Sequence, residues 1–254
     1  AEQAIASSVV RRGVRVMDIA SEYFTRVREI RRALPDVIPT EAAPVRPATQ
    51  TIPALTVTID TRLALGLPAT ELTAHPAARD FPGELPASAE TVTVTRMIDA
   101  SYPGRTPRLG GNSERPVWRS TGLYAAPGAR VTVTLPPAAR DAGLTALVGS
   151  WTDDNFGTAA WSRMPVVTRS YPLTLPTTTV ASAFGGLIYL RVPPGAAVGT
   201  IPVTIAGAVP APRFVQGVTS LESWRTTLRN LPGLYAELES NKLVLTVQIG
   251  RAHV

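Results

Sequence analysis

Val180-Ala-Ser-Ala-Phe-Gly-Gly-Leu-Ile-Tyr-Leu-Arg-Val-Pro193 is the stretch on which the fold reading turns. Residues 187–192 form an apolar run of strand length containing Leu, Ile, Tyr and Val, and Pro193-Pro194-Gly195 closes it. Such a run suits a strand covered on both faces, as in the core of a sandwich. Gly185-Gly186 ahead of it permits a sharp turn, or lets a second backbone come close.

Working outward, the chain reads as short strands between turns. Val92 and Val94 alternate towards Ile98. Val131, Val133 and Leu135 alternate between Ala125-Ala-Pro-Gly128 and Pro136-Pro137. Further strands are expected at 144–148, 166–169, 178–181 and 201–205. Short strands at regular spacing, punctuated by Pro and Gly, predict a mainly β chain built on an antiparallel β-sandwich of jelly-roll type. This domain is placed at residues 88–210.

The flanks have a different grammar. Residues 1–34 read as an N-terminal amphipathic helix, with Val16, Ile19, Tyr23, Val27, Ile30 and Leu34 three or four apart and Pro35 as its stop. Glu22 and Arg26 stand one turn apart and can pair. Residues 35–87 have the Pro- and Ala-rich composition of a linker with short elements, among them an alternating strand at 55–59. After Ala211 the pattern turns helical. Thr219-Ser-Leu-Glu222 reads as a capping box ahead of Leu221, Trp224, Leu228 and Leu231, and 243–247 reads as a strand. Residues 211–247 are therefore expected to be the helix-strand start of a truncated second domain. Ile249-Gly-Arg-Ala-His-Val254 matches what a common sequencing adapter encodes, so 248–254 is read as a non-native tail.

Composition limits the chemistry. The chain of 254 residues has no cysteine, which excludes disulfides, thiolate metal sites and a cysteine nucleophile. Its net charge of +6 rests almost wholly on scattered arginines, with Lys242 as its one lysine. Without a basic face interleaved with aromatics, no nucleic-acid partner is expected. No apolar run approaches the roughly twenty residues that span a bilayer, so no transmembrane segment is expected.

No catalytic residue and no metal ligand can be picked from the pattern. A zinc peptidase motif of the His-Glu-x-x-His type needs two imidazoles one helical turn apart, a third ligand and a glutamate that activates water. The chain has two histidines, His75 and His253. The best local constellation is Gly149-Ser-Trp-Thr-Asp-Asp-Asn-Phe156, followed by Trp161. Trp151, Asp153, Asn155 and Trp161 are the candidate glycan-binding residues: indole rings can stack on a pyranose while carboxylates and amides bind its hydroxyls. Against this stands a simpler reading, in which the tryptophans pack in the core and the Asp/Asn run is a turn.

Phe184-Gly185-Gly186-Leu187-Ile188-Tyr189 resembles the central signature of the enhancin-like, mucin-degrading zinc metallopeptidases, peptidase family M-sixty. An ordered series supports the resemblance: Trp118 to Gly128, 131–134, 149–153, 163–169, 177–189, 205–209, 212–217 and the Trp224-Arg225 helix. It covers roughly residues 91–247. The resemblance implies a β-sandwich accessory domain leading into a gluzincin-type zinc endopeptidase that acts on glycoproteins such as mucins. It implies a secreted or cell-envelope protein, a glycoprotein or glycan substrate, and zinc held downstream of Val247. This chain would then be the non-catalytic front of the enzyme, supporting the catalytic domain and presenting substrate, with Gly185-Gly186 and its flanks facing that domain. In one departure, Trp151 stands where the pattern Gly-x-His-Thr-Asp has a histidine. Two alternatives stay open: a stand-alone glycan-binding or adhesion sandwich, and a non-catalytic relative of the peptidases.

Overall fold

A computed structural model describes residues 22–104 and 115–249. The expected helix in 1–21, the turn at Gly110-Gly111-Asn112 and residues 250–254 of the suspected tail lie outside the described residues.

The alternating segments pair as antiparallel strands: β1 (Val92–Tyr102), β2 (Val117–Ala125), β3 (Val131–Thr134), β4 (Thr145–Val148), β5 (Arg169–Pro172), β6 (Thr177–Val180), β7 (Gly186–Val192) and β8 (Ala196–Pro210). One layer runs β6-β3-β8-β1, the other β5-β4-β7-β2. The fifteen-residue β8 pairs with β1 and β3 along its length, then with β2 at Val209 and Pro210, so one strand joins both layers. The result is a mainly β, antiparallel sandwich nearly closed into a barrel. Leu123, Val131, Val133, Leu144, Val148, Ile188, Leu190, Val203 and Ile205 fill its interior, nearly all without solvent contact.

Two strand readings shift. Residues 166–168 are irregular and β5 starts at Arg169. Arg169 pairs with Val148, the last residue of β4, and beyond it Gly149 leaves the ladder at φ +99° to donate its N–H to Leu187 O. Residues 166–168 therefore have no strand to pair with. β2 was carried only by the family resemblance, because Arg119-Ser-Thr-Gly122 breaks its apolar alternation. Those residues form a bulge, seen as a register shift between Ser120 and Tyr124.

The glycine pair seats β7. Gly185 has φ +70° and Gly186 φ +137°. A Cβ on Gly185 would lie 2.6 Å from Ala125 O, and one on Gly186 would lie 2.5 Å from Gly149 Cα. Both of the pair's possible uses, conformational freedom and close approach, thus apply at once. The expectation that the pair and its flanks face the second domain holds for the flanks alone, since Leu187 and Tyr189 cluster with Tyr235 while the pair is buried against 125–127 and Gly149 of its own sandwich.

The N-terminal flank also departs from expectation. Helix α1 (Glu22–Ala33) is present, with Arg26 bonded to Glu29 at 2.9 Å. The strand expected at 55–59 is instead part of helix α2 (Thr51–Gly66). Every residue from Thr56 to Thr61 is buried, so the helix has no polar face and its sequence shows no 3.6-residue period. The hydroxyls of Thr56, Thr58 and Thr61 bond carbonyls one turn back, at 3.1, 2.7 and 2.8 Å, which satisfies them inside the core. Pro53 falls in the first turn, where its missing N–H is not needed. Around this helix Val45, Leu72, Ala77 and Ala78 are buried, so residues 35–87 pack on the sandwich where a linker was expected. Asp60 anchors the arrangement, accepting from Arg31 at 2.5 Å and lying 3.6 Å from His75 Nε2.

Gly186→Ala is expected to lower unfolding stability by about 3 kcal/mol, because steric overlap with Gly149 adds to backbone strain. Gly199→Ala, also at positive φ but with nothing within 4 Å, is expected to cost about 1 kcal/mol. Urea unfolding of both variants against the unchanged chain checks the contrast.

Candidate functional site

The site grows from Tyr235-Ala-Glu-Leu-Glu239. Parallel β9 (Arg213–Val215), central β10 (Tyr235–Glu239) and antiparallel β11 (Val244–Gln248) form a separate three-stranded sheet. With a period of two, Tyr235, Glu237 and Glu239 share one face of β10 and Leu238 takes the other. Tyr235 and Glu237 are buried while Leu238 is exposed, so the first face lies on the sandwich. Tyr235 joins Tyr124, Leu147, Leu187, Tyr189 and Ala211 in a second apolar cluster, and its hydroxyl donates to Pro82 O at 3.0 Å. The residues flanking the glycine pair, Leu187 and Tyr189, are thus the ones that meet the C-terminal sheet.

A helix leads into this sheet. α3 (Leu221–Thr226) is capped by Ser220, whose hydroxyl accepts from Ser223 N at 3.1 Å. The cap therefore sits one residue later than expected, since the Thr219 hydroxyl is taken by Val215 N at 2.9 Å. The helix is short, and Leu228 and Leu231 lie beyond it around a 3₁₀ turn.

At the junction stands a fully buried carboxyl. Glu237 Oε2 accepts from the Ser120 hydroxyl, and Ser120 Oγ in turn accepts from Gly122 N at 3.1 Å. The β2 bulge thus aims Ser120 at the second sheet. Glu237 Oε1 makes no hydrogen bond of good geometry, while the Tyr189 hydroxyl lies near enough to couple to the carboxyl. Tyr189 OH also sits 3.4 Å from Thr246 Oγ1. Burial pushes the Glu237 carboxyl above the ordinary range. Bonds from Ser120 and Tyr189 and the charge of Arg213 oppose this, and Glu239 adds to it. Burial and the neighbouring Glu237 likewise raise Tyr189. Arg213 is held by Glu239, with contacts of 2.8 and 2.6 Å.

Beside this junction a cleft of about 440 Å³ opens between the layers. Trp118, Ser150, Trp151 and Tyr189 line its sandwich side, and Glu239, Asn241, Lys242 and Thr246 its other wall. The Trp118 ring lies 5.3 Å from that of Tyr189. Trp151 is 38% exposed and edge-on to Phe81 and Tyr235 at 5.6 and 6.4 Å.

The other candidate residues do not join it. Trp161 is buried, paired through its backbone with Val45, and packed at right angles on Phe156 at 5.4 Å. Its expected place in a sugar platform is corrected: the indole belongs to the core. Asp153 is ion-paired to Arg163, and Asn155 opens a 3₁₀ turn that Asp154 caps by accepting from Phe156 N at 3.0 Å. Among the signature residues, Phe184 is buried 5.2 Å from the His75 ring, and Ile188 lies in the sandwich core. Sequence reading missed Ser120, Glu237, Tyr235 and Trp118. A glutamate at the inward position of an alternating strand was the available signal.

The residues present do not fit a zinc site. Among the described residues no three His, Cys, Asp or Glu side chains gather to hold a metal ion. His75 Nδ1 accepts from Ala77 N at 3.1 Å and its Nε2 faces Asp60, so that ring is engaged in structure. His253 lies outside the described residues.

A sandwich whose last long strand runs directly into the first sheet of a second unit defines a two-part architecture. Family models match both parts in order: the N-terminal domain of M60-like peptidases over residues 89–206, and peptidase M60, enhancin and enhancin-like, over 207–253. The chain belongs to the M60-like peptidase family. It is 41% identical over 137 residues to TRPM8 channel-associated factor 2 of Homo sapiens, covering 54% of this chain and 15% of that protein. It is 36% identical over 155 residues to the TRPM8 channel-associated factor homolog of Xenopus laevis, covering 61% of this chain and 16% of that protein. The chain thus spans about a sixth of the length of these curated relatives. Its fold is shared with the IMPa metallopeptidase from Pseudomonas aeruginosa. That match has a TM-score of 0.55 at 16% identity, covering 88% of this chain and 24% of that one. The same enzyme in complex with an O-glycopeptide matches with a TM-score of 0.54 at 18% identity, covering 87% and 24%. Among the described residues no helix is long and apolar enough to cross a membrane.

Glu237 makes the junction sensitive to pH. Below the ordinary glutamate pKa of about 4.3, folded and unfolded chains both hold the proton. As pH rises, the unfolded chain releases it first, so stability falls until the folded carboxyl also ionises. Glu237→Gln is expected to flatten this slope, with urea midpoints from about pH 4 to about pH 8 as the measurement. An unchanged slope would count against the assignment.

Proposed function

We propose that this chain is the front of a secreted or cell-envelope zinc metallopeptidase that acts on O-glycosylated, mucin-type proteins. In this reading the sandwich is a non-catalytic brace, and zinc and the water-activating glutamate belong to sequence beyond Val247. The observation that carries it is the junction itself. Tyr235 and Glu237 are buried in the sandwich, which therefore fixes the position of the first sheet of the peptidase part. Support for the substrate class comes from the fold shared with IMPa, whose structures include complexes with an O-glycopeptide and with T-antigen.

A second reading has a specific observation behind it. The relatives at 36–41% identity are named as channel-associated factors, so a family member whose work is binding rather than hydrolysis is the rival. The test is expression of the full-length coding sequence, with zinc content by atomic emission and cleavage of an O-glycopeptide by mass spectrometry. Stoichiometric zinc and cleavage that a chelator abolishes are the expected results. Tyr235→Ala in that protein is expected to lower thermal stability and activity together, at a cost of about 3–5 kcal/mol for emptying a buried aromatic site. A well-folded full-length protein without zinc or cleavage would favour the binding reading.

A further inference from the structure

We propose that the cleft between Trp118 and Trp151 is a glycan-binding subsite on the accessory part, taking one or two neutral pyranose units of a substrate's sugar chain. The choice of ligand rests on the glycoprotein reading above; the argument for the cleft rests on its own residues.

The volume of about 440 Å³ is in the range of small-ligand sites. The walls combine two chemistries. Trp118 and Trp151 line the cleft at the sandwich edge, both partly open to solvent. Exposed indole in a concave site suits the apolar C–H face of a sugar ring, where stacking contributes beyond area alone. Between and beside them stand groups that both donate and accept, namely Ser150, Thr246 and Asn241. A hydroxyl or amide of this kind matches a sugar hydroxyl, which is itself donor and acceptor.

The charges in the cleft argue for a neutral ligand. Arg119 is already paired with Asp99 at 2.9 Å, and Glu239 with Arg213 at 2.6 Å. These ions are neutralised by protein partners and act as fixed struts. Lys242 lies at the exposed rim. A phosphate or nucleotide would call for several free cations converging on one point, and a lipid chain for an unbroken apolar lining. The cleft has neither.

Position adds a role. One wall is sandwich and the other is the β10–β11 hairpin of the peptidase part, so a sugar held here touches both.

Tryptophan fluorescence and saturation-transfer NMR of the whole chain with the disaccharide Galβ1-3GalNAc test the inference. Saturable binding is expected, at least tenfold weaker in Trp118→Ala and in Trp151→Ala, with circular dichroism confirming that each variant folds. Trp224→Phe, at a separate surface, is expected to stay within about threefold of the unchanged chain. No binding by the unchanged chain overturns the subsite, even if the full-length protein cleaves glycopeptides. Binding lost in Lys242→Ala but kept in both tryptophan variants also overturns it, because the ligand is then held by charge. Binding that is present while the full-length protein lacks zinc and cleavage keeps the subsite and removes the peptidase reading.

Discussion

The structure depends on a contact that only bare backbone can make. At Gly186 the chain passes so close to Gly149 that a single methyl group would collide with its Cα. This contact fixes where β7 begins, and β7 lies between β4 and β2 in the middle of its layer. Leu187 and Tyr189 then face the C-terminal sheet while Ile188 and Leu190 face the sandwich interior. Shifting β7 by one residue would exchange the two sets. The signature glycines thus act by setting a register.

The junction that results is polar at its centre and apolar around it. A buried carboxyl is costly unless its oxygens are bonded, with roughly 1–3 kcal/mol at stake for each unsatisfied group. Here one oxygen is bonded to Ser120 and the other is left to the weaker influence of Tyr189. The group has no solvent contact, and Tyr235, Tyr124 and Leu187 form the apolar cluster of the same junction. An apolar residue at 237 would bury more favourably but would specify the docking angle less sharply. The Ser120 bulge and Glu237 recognise each other only when the two sheets are aligned.

Much of this was legible in the chain. The alternation at 92–98 and 131–135, and the continuous run at 187–192, encode half-buried and fully buried strands directly. What stayed hidden had a physical reason in each case. Helix α2 is buried on all sides, so its threonines and valines produce no period and mimic a strand. Residues 35–87 look like linker because Pro and Ala pack well in irregular backbone, as Ala77 and Ala78 do at 4% and 3% exposure. Trp151 and Trp161 are ten residues apart and chemically identical, yet one lines a cleft and the other supports Val45. The glutamate that matters was written in the 235–239 alternation, but its partner Ser120 lies far away in sequence and is aimed by a bulge. Neither composition nor spacing reports such a pairing.

The long strand β8 has a mechanical consequence. It is paired with β1 over most of its length in one layer and with β2 of the other at Val209 and Pro210, and Ala211 then continues the chain into β9, with its N–H held by Gly122 O at 3.0 Å. No slack separates the two parts, so force applied to the peptidase sheet passes straight into the sandwich ladders. A swinging arm of the kind that lets tethered modules search for substrate is incompatible with this connection. The two parts form one platform, and exchange of the sandwich between relatives would have to carry β9 with it.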